Sequence, residues 1–268
     1  MKHLKEYKLW EQSRELTTEQ EGFLNRYVKG TWRINSEGLV DVEGDFDCSR
    51  SGIKSLMGIR FGTVSGNFYC SYNQLTSLEG APREVRGDFD CHWNQLTSLE
   101  GAPREVGRDF YCHENQLTSL EGAPREVGRN FYCHNNQLTS LEGAPREVKR
   151  DFYCMENQLT SLEGAPREVS GDFYCMDNQL TSLKGAPEKV GWNFYCSYNQ
   201  LTSLEGAPRE VRGNFYYREN PISDETMKLI CQKMMENPEM GYGAILASLQ
   251  SRIPEKEWEK LEKALWIR

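Results

Sequence analysis

The sequence predicts a solenoid, a helix-poor rod of stacked parallel β-strands built from many copies of one short unit. The hexapeptide Asn-Gln-Leu-Thr-Ser-Leu recurs at a constant step of 21 residues. A fixed short period is the signature of repeat architectures, whose units bury their apolar faces only against neighbouring copies. Each copy also contains a segment in which polar and apolar residues alternate, as in a half-buried strand. The seven copies of the hexapeptide begin at Asn73, Asn94, Asn115, Asn136, Asn157, Asn178 and Asn199.

The alternating segment of each copy is the predicted strand. In residues 88–92, Phe89 and Cys91 are expected to point inward, whereas Asp88, Asp90 and His92 point outward. The Leu, Ala, Pro and Val positions that follow are expected to fill the interior of a short, irregular return segment. The Asn that opens each hexapeptide is expected to have a structural role, bonding backbone groups in the turn after each strand. One Phe marks each strand, which gives nine strands, at Phe46, Phe68, Phe89, Phe110, Phe131, Phe152, Phe173, Phe194 and Phe215.

The pattern Asn-x-Leu-x-x-Leu after an apolar-x-apolar strand resembles the leucine-rich repeat. With its downstream Pro it is similar to the short repeats of bacterial type III effector proteins, and to repeat proteins predicted in large bacteriophages. The resemblance covers about residues 39–220. Two features depart from it, since Phe and Cys replace the usual Leu/Val strand pair and each unit is one residue longer than the shortest effector repeat. The resemblance implies a curved rod that binds another protein through its exposed strand face.

The chain is predicted to divide into a solenoid at 39–220, with helical caps at 1–38 and 221–268, because the terminal repeats of a solenoid would otherwise expose its core. Thr17 to Glu21 resembles a helix start with a capping box, and Gly30 is the expected stop. After Asn220, a helix is expected to begin at Ser223 or Asp224. Its Cys231 is predicted to be buried, not a nucleophile.

The composition indicates a soluble, cytoplasmic protein. The net charge is −8, the mean hydropathy is −0.71, and the charged N-terminus has no apolar signal region. Eight of the nine cysteines occupy one repeat position, which favours reduced, buried thiols over disulfides or a metal chelate. We expect no cofactor, no membrane contact and no enzymatic activity, because no catalytic motif is present. The acidic balance makes nucleic acid an improbable partner and favours a basic protein.

Differences between the copies concentrate on the outward strand positions and on the turn that follows. A row of tyrosines stands beside a row of Asp and Asn and a row that changes from Ser through His to Met. Tyr gives a large contact area with a polar tip, so this face is the predicted binding surface. The predicted partner-binding residues are Asp88, Asp90, His92, Trp93, Asp109, Tyr111, His113, Tyr132, His134, Tyr153, Met155, Tyr174, Met176, Tyr195 and Tyr198.

Other interpretations of these rows stay open at this point. The Asp and Asn row is compatible with a mimic of nucleic-acid phosphates, and the aromatic and amide rows with a glycan-binding solenoid. Solvated strand residues copied by duplication are the plainest alternative. Metal binding by His92, His113 and His134 is not expected, because evenly spaced ladder side chains rarely converge on a tetrahedral site. Neither the partner nor the oligomeric state is predicted.

A charged set on the opposite face changes sign as a unit. Glu79, Arg83 and Glu84 recur faithfully until one copy, which reads Lys184, Glu188 and Lys189. Inverting three charges together preserves their mutual attraction. We therefore expect an ion-pair set within each repeat.

Overall fold

Strand pairing at a constant one-repeat offset organises the chain. The structure, a computed structural model, describes residues 15–222. Phe89 is aligned with Phe110, and Tyr132 with Tyr153, in parallel pairs. The first step alone is longer, since Phe46 is aligned with Phe68. The predicted leucine-rich-repeat-like stack of parallel strands is therefore confirmed.

All nine Phe-marked strands are present. The first is the end of β2 (Val40–Asp47), and the others are two residues long. Their backbones bond to the next copy throughout; for example, the Phe89 N–H donates to the Asp109 carbonyl at 2.9 Å. These strands are β4 (Phe68–Tyr69), β6 (Phe89–Asp90), β8 (Phe110–Tyr111), β10 (Phe131–Tyr132), β12 (Phe152–Tyr153), β14 (Phe173–Tyr174), β16 (Phe194–Tyr195) and β18 (Phe215–Tyr216).

A second ladder occupies the return segments, which were predicted to be irregular. It is built on the Val position, and a bend of three residues separates it from the Phe ladder. Two residues are too few to show a period of two, so the sequence pattern did not reveal it. Its strands are β3 (Phe61–Val64), β5 (Glu84–Val85), β7 (Glu105–Val106), β9 (Glu126–Val127), β11 (Glu147–Val148), β13 (Glu168–Val169), β15 (Lys189–Val190) and β17 (Glu210–Val211).

The core is a set of columns that run along the rod. Phe89 and Phe110 are fully buried, and their rings stack with centroids 5.3 Å apart. The eight cysteines in residues 15–222 are free and buried. The Cys112 thiol donates to the Tyr132 carbonyl at 3.2 Å, and burial raises its pKa well above the usual range. These thiols stay protonated and pack as small apolar groups, as predicted.

The Asn of each hexapeptide joins two repeats. Asn136 is 9% exposed, and its Nδ2 donates to the carbonyls of Cys112 and Cys133, both at 3.1 Å. Its Oδ1 accepts the backbone N–H of Leu117 at 3.0 Å. Buried backbone groups need such partners, so the structural role predicted for this column is confirmed.

A helix and an antiparallel strand cover the first repeat. In α1 (Thr18–Tyr27), Thr17 and Gln20 form the predicted capping box. Phe23 lies 5.8 Å from Phe46, ring centroid to centroid, and so closes the Phe column. The chain then continues as β1 (Val28–Ile34), which pairs antiparallel with β2. Gly30 lies inside β1, so its prediction as the helix stop was wrong.

The ion pairs of the sign-inverted copy connect neighbouring repeats. Lys184 contacts Glu205 at 2.9 Å. The two remaining pairs join Arg167 to Glu188 at 3.1 Å and Lys189 to Glu168 at 2.9 Å. The expected set within one repeat was wrong, because equivalent positions of adjacent copies are only about 4.8 Å apart. The pairs are exposed, and their contribution to stability is small.

The C-terminal cap predicted at 221–268 lies outside the described residues except for its first two, and so do Cys231 and residues 1–14. Over residues 15–222, no helix combines the length and hydrophobicity needed to cross a bilayer. The boundary predicted at 38/39 falls in the hairpin between β1 and β2, whose turn contains Gly38.

Replacing the inter-repeat amide should destabilise the rod strongly. Asn136→Ala leaves the Leu117 N–H without a partner and removes one of the two amide donors from each of the Cys112 and Cys133 carbonyls, at a cost of about 2 kcal/mol in the free energy of unfolding. Denaturant titration followed by circular dichroism measures the change. Gln137→Ala, at the exposed neighbouring position, is the matched control and should change the unfolding free energy by less than about 0.5 kcal/mol. Equal losses in the two variants would contradict the assigned role.

Candidate binding surface

The side chains of the Asp and Asn row bond the backbone of the next repeat and so hold neighbouring repeats together. Asp88 Oδ1 accepts the backbone N–H of Asp109 at 3.1 Å, and Asp109 Oδ1 accepts that of Asn130 at 2.9 Å. The same bond recurs from Asp45 to Asn214, whichever of the two residue types is present. Asp109 is only 8% exposed. Asp88 and Asp109, predicted as partner contacts, are therefore placed as backbone acceptors.

Six tyrosines form a continuous stack beside this row. Successive ring centroids are 4.6 Å apart between Tyr111 and Tyr132, and 4.4 to 4.5 Å apart further along. The Tyr174 hydroxyl donates to Asp172 Oδ2 at 2.9 Å, and Tyr153 donates to Asp151 Oδ2 at 3.2 Å. The stack comprises Tyr111, Tyr132, Tyr153, Tyr174, Tyr195 and Tyr216.

These tyrosines are a rigid, half-buried platform. Burial, followed by the Asp151 charge, raises the pKa of Tyr153, and burial raises that of Tyr174 with help from its bond to Asp172. These two phenols therefore stay protonated and act as donors. The row presents the edges of a fixed stack, because each ring packs against its neighbours.

Three histidines stack in the next row. The ring centroids of His92 and His113 are 4.5 Å apart, and those of His113 and His134 are 4.4 Å apart. Burial lowers the pKa of His113 to about 3, with further contributions from the charges of His134 and His92. Burial likewise lowers the pKa of His134. His113 and His134 are thus neutral at pH 7, and Met155 and Met176 continue the row as half-buried side chains.

The three stacked His side chains are not arranged as the ligands of one metal ion. His92 Nδ1 lies 2.5 Å from Asp90 Oδ1, so this nitrogen is already engaged. The Nδ1 atoms of His113 and His134 are buried and have no hydrogen-bond partner. No group of three or more potential ligands within residues 15–222 is arranged to hold a metal ion. Asp90 therefore orients His92.

The third residue after each Phe-marked strand adopts a left-handed backbone conformation. We call these positions the turn row, and they were not predicted to be unusual. Their φ values lie between 50° and 57°, although none is a glycine. For most side chains this conformation costs about 1 kcal/mol or more. The turn row comprises Arg50, Tyr72, Trp93, Glu114, Asn135, Glu156, Asp177, Tyr198 and Glu219.

The most exposed aromatic side chains of the predicted surface belong to the turn row. Trp93 is 51% exposed and Tyr198 58%, so both predicted contact residues are accessible. Tyr72, not included in the prediction, is 41% exposed and stacks on Trp93 with centroids 5.8 Å apart. Arg50 lies over the Tyr72 ring, with Cζ 4.3 Å from its centroid. Tyr72 and Arg50 precede the regular copies, and alignment of the turn positions would have found them.

The comparisons with known proteins concern the fold. No protein-family model matches the sequence, and no curated protein matches it. Among solved structures, the chain is similar to YopM from Yersinia enterocolitica WA-314, with 20% identity and a TM-score of 0.46 over 67% of this chain. The match covers 47% of that chain, so this protein corresponds to about half of its length.

Substitutions at Asp109 should separate hydrogen bonding from charge. Asp109→Asn keeps the acceptor for the Asn130 N–H and reproduces the residue found at 67, 130, 193 and 214, so stability should be almost unchanged. Asp109→Ala removes the acceptor and should lower the free energy of unfolding by about 2 kcal/mol. Thermal and urea unfolding measure both. A larger loss with Asn than with Ala would contradict the assignment.

The histidine stack should make the protein less stable in acid. The native pKa of His113 is lowered from 6.5 to about 3, so the unfolded state binds more protons below pH 6.5. Stability is therefore full above about pH 6.5 and falls as the pH drops toward 3. His113→Met places the side chain of 155 and 176 in the row and should reduce the loss. Urea midpoints at pH 7 and pH 5 give the comparison, and equal pH dependence in both proteins would refute the effect.

Proposed function

We propose that this chain is a non-catalytic protein-binding module whose partner contacts the turn row and the strand face beside it. The observation that carries this proposal is the presence of exposed Tyr72, Trp93 and Tyr198 at left-handed backbone positions. Glycine would adopt that conformation without strain. Backbone strain is a sign of function when a structure retains it, and these large side chains are retained.

The size of the surface supports a protein partner. Trp93 and Tyr198 are five repeats apart, about 24 Å at about 4.8 Å per repeat. A standard protein interface buries about 800 Å² on each side, which is a patch of similar width. Trp, Tyr and Arg are the residues most enriched among interface hot spots, and the Arg50, Tyr72 and Trp93 group supplies all three.

The rows behind the turn row support the same reading. The stacked tyrosines and histidines are fixed in place before any partner arrives, which lowers the entropic cost of binding. A nucleic-acid mimic is less well supported, since the Asp oxygens that would imitate phosphates accept backbone N–H groups. The action on a host protein by a phage or bacterial factor, and the cytoplasmic location, rest on the repeat resemblance and composition and stay predictions.

Removing the exposed aromatic side chains of the turn row should abolish partner capture. The triple variant Tyr72→Ser, Trp93→Ser and Tyr198→Ser should lose proteins that the unmodified chain captures from its native host, measured by quantitative mass spectrometry. For a captured protein then purified, each substitution should weaken the Kd about 30-fold, as expected for a hot spot. Trp192→Ser is the matched control, because Trp192 is 65% exposed but lies outside the turn row.

The two variants distinguish the proposal from its alternatives. Capture that persists in the triple variant, or is lost equally with Trp192→Ser, would overturn the assignment of the surface. Loss of a bound glycan or nucleic acid instead of a protein would favour the corresponding alternative. Circular dichroism should stay unchanged in both variants, since these side chains are exposed and outside the core.

A further inference from the structure

The turn row begins with a cation stacked on two rings. Arg50 lies over Tyr72, and Tyr72 stacks on Trp93 with the ring planes only 6° apart. The three residues occupy equivalent positions in successive repeats, so the stack runs along the rod. One face of the ring pair is thus already covered by a guanidinium from the chain itself. This contact shows that the row has the spacing for cation–π stacking.

The other face of the Trp93 ring faces the following repeat, where the turn row continues with Glu114. Within residues 15–222, Tyr72 is the only ring that stacks on Trp93, and no cation lies over it. With half of its surface exposed, Trp93 offers a flat apolar platform at the end of the stack. A planar cation placed there would cover the ring pair on its second side, as Arg50 does on the first.

The acidic side chains beyond Trp93 indicate that such a ligand carries positive charge. Glu114, Glu156 and Asp177 follow in the turn row, and none of them forms an ion pair within the described residues. Glu114 Oε1 accepts a hydrogen bond from Asn135 Nδ2 at 3.0 Å, which leaves its other oxygen for a partner. Glu156 and Asp177 are exposed. The carboxylates of this stretch are therefore available to pair with a cation.

We propose that the turn row from Trp93 to Asp177 binds an extended basic segment of the partner protein, with an arginine stacked on the exposed part of the Trp93 ring and paired with Glu114. This inference rests on the proposed function and names the chemistry of the partner. Arginine fits better than lysine, because its planar guanidinium stacks on a ring and bonds a carboxylate with two parallel N–H groups. The span is four repeats, about 19 Å, which an extended segment of about six residues covers.

A hexa-arginine peptide with a fluorescent label is the probe, compared with hexalysine and hexaglutamate by fluorescence anisotropy. Hexa-arginine should bind, hexalysine should bind several-fold more weakly, and hexaglutamate should not bind. Trp93→Ser should weaken hexa-arginine binding about fivefold, as expected for one partly exposed cation–π contact. The triple variant Glu114→Gln, Glu156→Gln and Asp177→Asn should weaken it at least tenfold and flatten its salt dependence.

A control with the same charge change is available on another row of the same part of the rod. Glu100→Gln, Glu121→Gln and Glu142→Gln also remove three carboxylates, and they should leave the Kd within about twofold. If that control weakens binding as much as the turn-row variant, net charge alone is responsible and the inference is wrong. Equal binding of hexa-arginine and hexalysine with no effect of Trp93→Ser would also overturn it.

The inference and the proposed function fail in different ways. If the host protein still requires Tyr72, Trp93 and Tyr198 but hexa-arginine does not compete with it, the basic-segment inference fails and the binding module stands. If no host protein depends on those three side chains, the proposed function fails, whatever the peptides do. If the inference and the proposed function both hold, hexa-arginine competes with the host protein for the unmodified chain and for the Glu100, Glu121 and Glu142 control. It does not compete for the variant changed at Glu114, Glu156 and Asp177.

Discussion

The amide of one asparagine per repeat is the interaction on which the rest of the structure depends. Each turn between the strand and the return segment brings backbone carbonyls into the interior, where water cannot reach them. Asn136 bonds a carbonyl of its own repeat and one of the preceding repeat through the same nitrogen. This bond fixes the offset between copies, and that offset aligns every other column, from the buried Phe rings to the exposed turn row. A packed core alone would tolerate sliding, whereas a directional bond does not.

Most of the fold follows from the sequence because the period is constant. Equivalent residues must then lie one above another, so the nine Phe strands, the buried thiols and the role of Asn were all predictable. Two elements were not. The Glu-Val strands are too short for any pattern, and β1 is recognisable only from its pairing with β2. The ion pairs were misassigned because the period of 21 places equivalent positions of adjacent copies one strand spacing apart, which brings Lys184 beside Glu205.

The binding surface was predictable in part, for a physical reason. Alternation identifies which side chains leave the core, but it does not say what they then contact. Asp109 occupies an outward position of its strand, but its Oδ1 accepts a backbone N–H of the next repeat. The left-handed conformation of the turn row was not predicted, because Trp and Glu are poor indicators of it and only Asn135 and Asp177 suggest it. Accessibility and strain, which only coordinates reveal, separate the displayed residues from the supporting ones.

The copy with inverted charges has a consequence for how the chain folds. Near-identical units are interchangeable, so a folding chain can skip one copy, loop it out and still stack its Phe, Asn and Leu columns correctly. Lys184 and Lys189 bind acids in the copies on opposite sides, Glu205 and Glu168. Skipping this copy removes all three of its ion pairs and places Glu163 against Glu205 and Glu168 against Glu210. A single unlike copy therefore works against trapped, mis-threaded forms in which that copy is looped out.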